Sequence, residues 1–312
     1  MKDNTEPFKI FTHNKSFSGS IKENESLSIH TTMNVGGKAG LFLEPEDTES
    51  LVFAVKTLTE NKMPFFILGG GSNVIISSYG LDTVISTRKI NKISSDSSER
   101  IKIECGASWG SVISFCKNHN YGGFEAFTGL SGTCGGALYM NATCFNLSAC
   151  DNLVSAEYFD MQDMQLHIYE KKSSDWGYKK SPFQCSDYHQ ISQLKIILSA
   201  VFCIHNGFDS AFSEKCLAFR KEKGHFRSPS AGSVFKNDAD KGIIAGKLID
   251  ECGLKGLSSG GAQIAPWHGN FIINPERKAS AEDIKNLVEK IKKIVLEKKE
   301  ILLENEIIFV EK

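Results

Sequence analysis

Between Glu49 and Lys62 the apolar residues Leu51, Val52, Val55 and Leu58 return at helical spacing, and Pro64 stops the run. The bulky "FFIL" that follows predicts a buried strand leading into glycines 69–71. "TVIST" predicts the next strand, the charged "NKISSDSSER" an exposed turn, and the alternating "IKIECGA" a further strand before a short helix over 111–120. Behind a polar N-terminal arm, the first third of the chain thus alternates strand and helix, the pattern of an α/β or α+β layer.

An uncharged glycine-rich segment comes next. Strand candidates "LVSAEYFD" and "QLHIYE", joined by the turn-like "MQDM", follow it, and then "QLKIILSAVFCI". A helix is expected over 210–223, then a shaped loop in "GHFRSPSAGSVFKN", then an amphipathic helix in "GIIAGKLIDECG" that ends at Gly253. "GNFIIN" predicts a strand. From Ser280 the capping pattern S-x-x-D opens a long helix with Ile284, Leu287, Val288, Ile291 and Val295 on one face, and "EIIFV" closes the chain as a strand.

At 312 residues, with 41% hydrophobic and 23% charged residues, the chain has the balance of a globular protein and room for two or three lobes. A formal net charge of −1 gives no electrostatic case for nucleic acid or an anionic membrane. The nine cysteines lack C-x-x-C or Cys/His ligand spacing, which predicts reduced thiols, and the eight histidines show no metal-ligand spacing either, so no metal is expected. The N-terminus has no apolar signal-like region. The longest uncharged stretch, Ala126–Cys150, is broken by Gly129, Gly132, Gly135 and Gly136 and does not read as a membrane span. A cytosolic protein is the expectation.

Five stretches carry candidate chemistry. "ILGGGSNVII" is either a tight turn or a cradle of bare amides for a phosphate, although neither G-x-G-x-x-G nor the P-loop pattern is present. "GLSGTCGGALYMNA" is either a second jaw of that cradle or a loop where glycine permits close backbone approach. In "PSAGSVFKN", Ser233 is either a turn serine or a hydroxyl presented to a ligand; it is not a G-x-S-x-G nucleophile. "WGYKKS" sets an aromatic beside two cations, and Glu304 and Glu306 of "LENEIIFV" lie two apart at the start of a strand, facing the same way.

In this order, these stretches resemble one family, the UDP-N-acetylenolpyruvoylglucosamine reductases, also called UDP-N-acetylmuramate dehydrogenases. The likeness runs from "LSIHTTMNVGGKAG" through "AGKLIDECGLKGLSSGGAQI" and "HGNFIIN" to "LENEIIFV", nearly the whole chain. The short run after Tyr178 resembles the family's shorter type, which lacks a tyrosine-bearing insertion. The resemblance implies an α+β fold: a two-lobed FAD-binding domain of the vanillyl-alcohol-oxidase type over 1–205 (lobes 1–95 and 96–205), then a C-terminal α/β substrate-binding domain over 206–312. It implies non-covalent FAD on Gly69, Gly70, Gly71, Ser72, Asn73, Gly132, Thr133, Gly135, Gly136 and Ala142.

The implied reaction takes a hydride from NADPH through the flavin to the enolpyruvyl ether of UDP-N-acetylglucosamine, yielding the muramate of peptidoglycan precursors. Ser233 matches the family's proton donor and Glu306 its catalytic glutamate. A carboxylate beside a developing anion is productive when protonated or paired with a cation. The family's Tyr-Arg pair reads Tyr178–Lys179 here, so lysine keeps the charge without arginine's planar fork. Arg220 and Lys223 match an R-x-x-K pattern for substrate phosphate or carboxylate, and Asn237 matches a nucleotide-sugar contact. Other departures are Ser131 for proline, "TCFNLSAC" for a glycine- and tyrosine-containing loop, and Asp238 for proline. A monomer is expected. Two other readings stay open: a flavin oxidase of the same fold, and a non-catalytic descendant that binds nucleotide sugar or flavin.

Overall fold

A computed structural model describes residues 5–12, 14–95, 99–185, 190–238 and 241–312. The chain divides into two compact units, each assembled from separate segments: 1–24, 40–70 and 82–218 in the first, and 25–39, 71–81 and 219–312 in the second.

The first unit carries two sheets. One has the strand order Gly19–Ser26, Lys38–Pro45, Leu81–Ser86, Phe66–Leu68, and its last pair is parallel, with Leu68 opposite Ser86. The other is antiparallel, in the order Gln165–Glu170, Leu153–Asp160, Lys195–Cys203, Arg100–Glu104, Ile93–Ser95. The helix Thr48–Glu60 starts where the Asp47 side chain accepts from the Ser50 amide at 2.7 Å, and it buries Leu51, Ala54, Val55 and Leu58. Helix Trp109–His119 is capped by Ser108 and ended by Asn120 in the left-handed conformation. One core cluster joins these helices to both sheets, with Trp109, Phe124, Phe127, Phe159 and Phe202 among its buried rings.

Two parts of this unit differ from the sequence expectation. The "polar arm" contains the strands Gly19–Ser26 and Lys38–Pro45. The first is polar apart from Ile21, which packs against the core, while the second buries Leu41, Phe42 and Leu43 in succession, so neither shows clean alternation. The glycine-rich segment contains the short helix Cys134–Met140, which glycine's low helix propensity conceals.

In the second unit the strands Ser230–Ser233, Phe271–Ile273, Ala262–Ile264 and Ser258–Ser259 form an antiparallel sheet. The helix Ala281–Lys299 has a full capping box between Ser280 and Asp283, and it buries Ala281, Ile284, Leu287, Val288, Ile291 and Val295 as its periodicity predicts. The closing strand, Ile308–Val310, runs parallel to Val74–Ile76. Among the described residues, no helix is long and apolar enough to cross a membrane, and no group of three His, Cys, Asp or Glu side chains could hold a metal.

Candidate active site

In the first unit the two glycine loops meet backbone to backbone. A Cβ added at Gly70 would stand 2.5 Å from Gly132 Cα, and one at Gly69 would stand 2.8 Å from Thr133 Oγ1. Side chains are excluded here by contact, so the loops present bare backbone. The Thr133 hydroxyl is buried with no hydrogen-bond partner among the described residues. Buried hydroxyls are ordinarily satisfied, so a polar group of a ligand is its natural complement. These features fit the diphosphate of FAD held between two glycine loops.

Gly135 has another job. Its amide donates to the Cys105 carbonyl at 2.8 Å, and an added Cβ would stand 2.9 Å from Cys105 Cβ, so glycine lets the helix Cys134–Met140 pack on that chain. Gly136 follows inside the helix, and Ala142 exchanges backbone bonds with Ala137 and Ala149 at 2.8 Å. Burial pushes the Cys105 thiol up to about 12 and raises that of Cys134, so neither is a nucleophile toward a cofactor at neutral pH. Arg88 was not apparent from sequence. Its Nη2 donates to the Gly70 carbonyl at 2.8 Å, which brings a cation to the first loop. The parallel register of Leu68 with Ser86 brings it there, a pairing that local pattern does not reveal.

Also in the first unit, Tyr178 and Lys179 form the two-residue tip of a hairpin closed by reciprocal Gly177–Lys180 bonds of 3.2 and 3.1 Å. Tyr178 is exposed, and Lys179 Nζ lies 5.7 Å from its ring centroid. The departing segment "TCFNLSAC" forms a small hairpin, Thr143–Cys144 with Leu147–Ser148, whose tip residues Phe145 and Asn146 both have positive φ.

In the second unit Gly71, at φ 64, accepts from the Thr32 amide, and an added Cβ would collide with the His30 carbonyl. Ser72 is half-buried. Asn73 donates through Nδ2 to the Glu306 carbonyl at 3.0 Å and accepts at its own carbonyl from Ile308 at 2.9 Å. Asn73 therefore fastens the segment that carries Glu306.

Ser233 and Glu306 come together in this unit. Ser233 ends its strand just after Gly232, at φ 76, and pairs with Phe271. The chain then runs antiparallel to residues 304–306: the Glu306 amide donates to the Val234 carbonyl at 2.8 Å, Phe235 bridges Asn305, and the Lys236 amide donates to Glu304 at 2.8 Å. Asn270, buried and unforeseen, accepts from the Phe235 amide at 2.9 Å and donates to its carbonyl at 2.8 Å. The side-chain amide stands in for a missing strand and fixes both neighbours. Glu304 is different. It is exposed and paired with Lys236 at 2.5 Å, and the closing strand begins only at Ile308, after both glutamates.

The Asn237 side chain accepts from the Ala245 amide at 3.1 Å, at the start of helix Ala245–Glu251. Asp238 exchanges backbone bonds with Ile243 at 2.9 and 2.7 Å, one of which needs the amide that proline lacks. Arg220 is buried, and Lys223 Nζ lies 3.4 Å from Glu222 and 5.5 Å from the Phe219 ring centroid.

Close by sits His225, 4.8 Å from the Phe271 ring and 6.2 Å from His268. Burial, then the charges of Arg220 and His268, push it down from 6.5 to about 4; burial also lowers His268, which Lys223 and Lys255 face. The unfolded chain takes up a proton near its ordinary value of 6.5 while the folded unit resists until about 4. Stability is therefore full above that window and falls as pH drops through it. Thermal unfolding followed across this range will show the decline, and His225→Gln will flatten it; an unchanged slope in the variant would refute the assignment.

Comparison with known proteins agrees with the geometry. Residues 39–168 match the FAD binding domain family, and residues 224–310 match the C-terminal domain of UDP-N-acetylenolpyruvoylglucosamine reductase. The class is thus a flavoprotein: an FAD-binding domain of the vanillyl-alcohol-oxidase type followed by a C-terminal domain that mixes helices with an antiparallel sheet rather than the expected α/β arrangement. The chain is 41% identical over 283 residues to the UDP-N-acetylenolpyruvoylglucosamine reductase of Treponema denticola, covering 87% of each chain. It is 37% identical to that of Fusobacterium nucleatum, across 81% of this chain and 86% of the other. A crystal structure of the Thermus caldophilus reductase superposes with a TM-score of 0.74 at 28% identity, covering 94% of this chain and 99% of that one. The chain belongs to the UDP-N-acetylenolpyruvoylglucosamine reductase family.

Proposed function

We propose that this protein reduces the enolpyruvyl ether of UDP-N-acetylglucosamine to UDP-N-acetylmuramate, with NADPH as hydride donor, in peptidoglycan precursor synthesis. The observation that carries the reading is the pairing of the Ser233 and Glu306 segments in one unit of a chain whose other unit presents two abutting glycine loops. FAD, when bound, supplies the relay of a hydride from NADPH to the substrate alkene. The chain's residues then face two tasks: neutralising negative charge that spreads into the substrate carboxylate, and delivering one proton to the adjacent carbon.

Lys179 supplies the positive charge for the first task, and Ser233 donates the proton for the second. A serine hydroxyl is a weak acid, but a carbanionic acceptor is basic enough to take its proton. Glu306, on the segment hydrogen-bonded beside Ser233, acts at the same reacting carbon. Arg220, Lys223, Asn237 and Tyr178 bind the nucleotide sugar; Gly69–Asn73, Gly132, Thr133, Gly135, Gly136 and Ala142 line the FAD site. In this reading 1–205 is the FAD-binding domain and 206–312 the substrate-binding domain. The protein acts as a cytoplasmic monomer without a nucleic-acid or membrane partner, in keeping with its net charge of −1.

The test is anaerobic. Absorbance at about 450 nm should bleach on adding NADPH and recover only when the enolpyruvyl substrate follows. Bleaching without recovery would favour a binding-only descendant, and flavin retained through acid precipitation would favour an oxidase with a covalent cofactor.

A further inference from the structure

Lys179 stands in an unusual backbone state. Its φ is 54, the left-handed region that side-chain-bearing residues other than Asn and Asp seldom adopt. Such a state persists where the surroundings over-determine it. Two side-chain amides do so here. Asn141 Nδ2 donates to the Gly177 carbonyl at 2.8 Å, and Gln184 Nε2 donates to the Lys179 carbonyl at 3.1 Å. Just past the tip, the buried Ser181 hydroxyl donates to the Tyr139 carbonyl at 2.7 Å.

Asn141 is itself 3% exposed, and both ends of its amide are engaged, because Oδ1 accepts from the Cys150 amide at 3.2 Å. Its backbone, at φ 42, ends the helix Cys134–Met140 that follows the second glycine loop. A single side chain thus ties three things together: the end of the flavin-loop helix, the base of the small 143–150 hairpin, and the hairpin that presents Lys179.

We propose that Asn141 and Gln184 are positioning residues that hold the Tyr178–Lys179 tip so that the Lys179 charge meets the substrate carboxylate. This rests on the role given to Lys179 in the reading above. Neither amide touches substrate; each acts by fixing a carbonyl on one side of a two-residue turn. If the tip relaxes out of the left-handed state, the ammonium swings away while FAD binding and the NADPH step are untouched.

The experiment uses the full chain loaded with FAD and the variants Asn141→Asp, Gln184→Ala, Lys179→Ala and the two doubles with Lys179→Ala. Asn141→Asp keeps an acceptor for Cys150 and turns the donor to Gly177 into a second acceptor, which sets oxygen against the Gly177 carbonyl and releases that side of the turn. FAD affinity is read by fluorescence, and the NADPH-driven bleaching and substrate-driven recovery are read by stopped flow. Asn141→Asp and Gln184→Ala should keep FAD affinity and bleaching within about twofold and slow recovery roughly ten- to a hundredfold. Each double should recover no more slowly than Lys179→Ala alone, because the amides act through that lysine.

Losses that multiply in the doubles would overturn the proposal, as would bleaching and recovery falling together. If Asn141→Asp fails to fold, Gln184→Ala carries the same test. A normal Lys179→Ala defect with no effect of either amide variant overturns the positioning role alone. Native recovery in Lys179→Ala overturns both the positioning role and the reading of Lys179.

Discussion

Ser233→Ala should yield a protein that binds FAD and bleaches with NADPH at the native rate but recovers roughly 10²–10⁴-fold more slowly when substrate is added. The change removes one half-buried oxygen from the end of a strand whose backbone is held by other groups: Phe271 opposite it, Asn270 on Phe235, and Glu306 on Val234. Little fold stability depends on the hydroxyl, so the defect should be chemical. Because a proton donor matters in the transition state more than in the ground state, kcat should drop while KM for the substrate moves little. Rapid-mixing absorbance resolves the two steps. Native recovery in Ser233→Ala would remove serine from the reaction and leave Glu306 or water as the proton source.

Much of this molecule was legible in its sequence where the signal is local. The C-terminal helix is a good case: Ser280 and Asp283 mark its start, and five apolar positions mark its buried face. What local pattern conceals is pairing between distant segments. The parallel ladder of Ile308–Val310 on Val74–Ile76 lets Asn73 reach the Glu306 carbonyl, across 233 residues of chain. The register of Leu68 with Ser86 puts Arg88 on the Gly70 carbonyl. Neither contact has a spacing that could be recognised beforehand. The glycine loops are an intermediate case. Their composition left open a tight turn and backbone bared to a ligand, and only the fold shows that Gly70 faces Gly132 whereas Gly135 is packed against Cys105.

Three of the residues that sequence reasoning missed share a chemistry. Asn270, Asn141 and Gln184 hold backbone carbonyls of the segments that carry Ser233 and Lys179, and Asn73 does the same for Glu306. A side-chain amide offers the donor and acceptor of a peptide group without requiring another strand, so it can finish a ladder where the chain must turn away. Buried backbone groups left unsatisfied would destabilise these segments and loosen them. Each of these segments is therefore held by an amide that carries no reactive chemistry of its own.

Gly70→Ala should give a folded but colourless protein, with FAD affinity weakened by at least about a hundredfold. The new methyl carbon would lie 2.5 Å from Gly132 Cα, 3.0 Å from the Gly132 carbonyl carbon and 3.2 Å from the Thr133 nitrogen, where ordinary contact begins at 3.4 Å. All three neighbours are backbone, so no flexible side chain can yield, and the loops must part by roughly an ångström. Overpacking of this kind costs about 1–3 kcal/mol, which a unit with so large a core survives with a lowered melting temperature. Ligand binding tolerates it far less. Separation shifts the Thr133 hydroxyl and pulls on the Gly70 carbonyl held by Arg88, so on the proposed reading the groups that would hold the diphosphate no longer converge. Gly110→Ala is the matched control: its added carbon meets only Ser108 Oγ, at 3.8 Å, and FAD should bind as in the native chain. Fluorescence titration of both apoproteins decides the matter, since native affinity in Gly70→Ala would mean that the meeting of the two loops serves packing and that the diphosphate lies elsewhere.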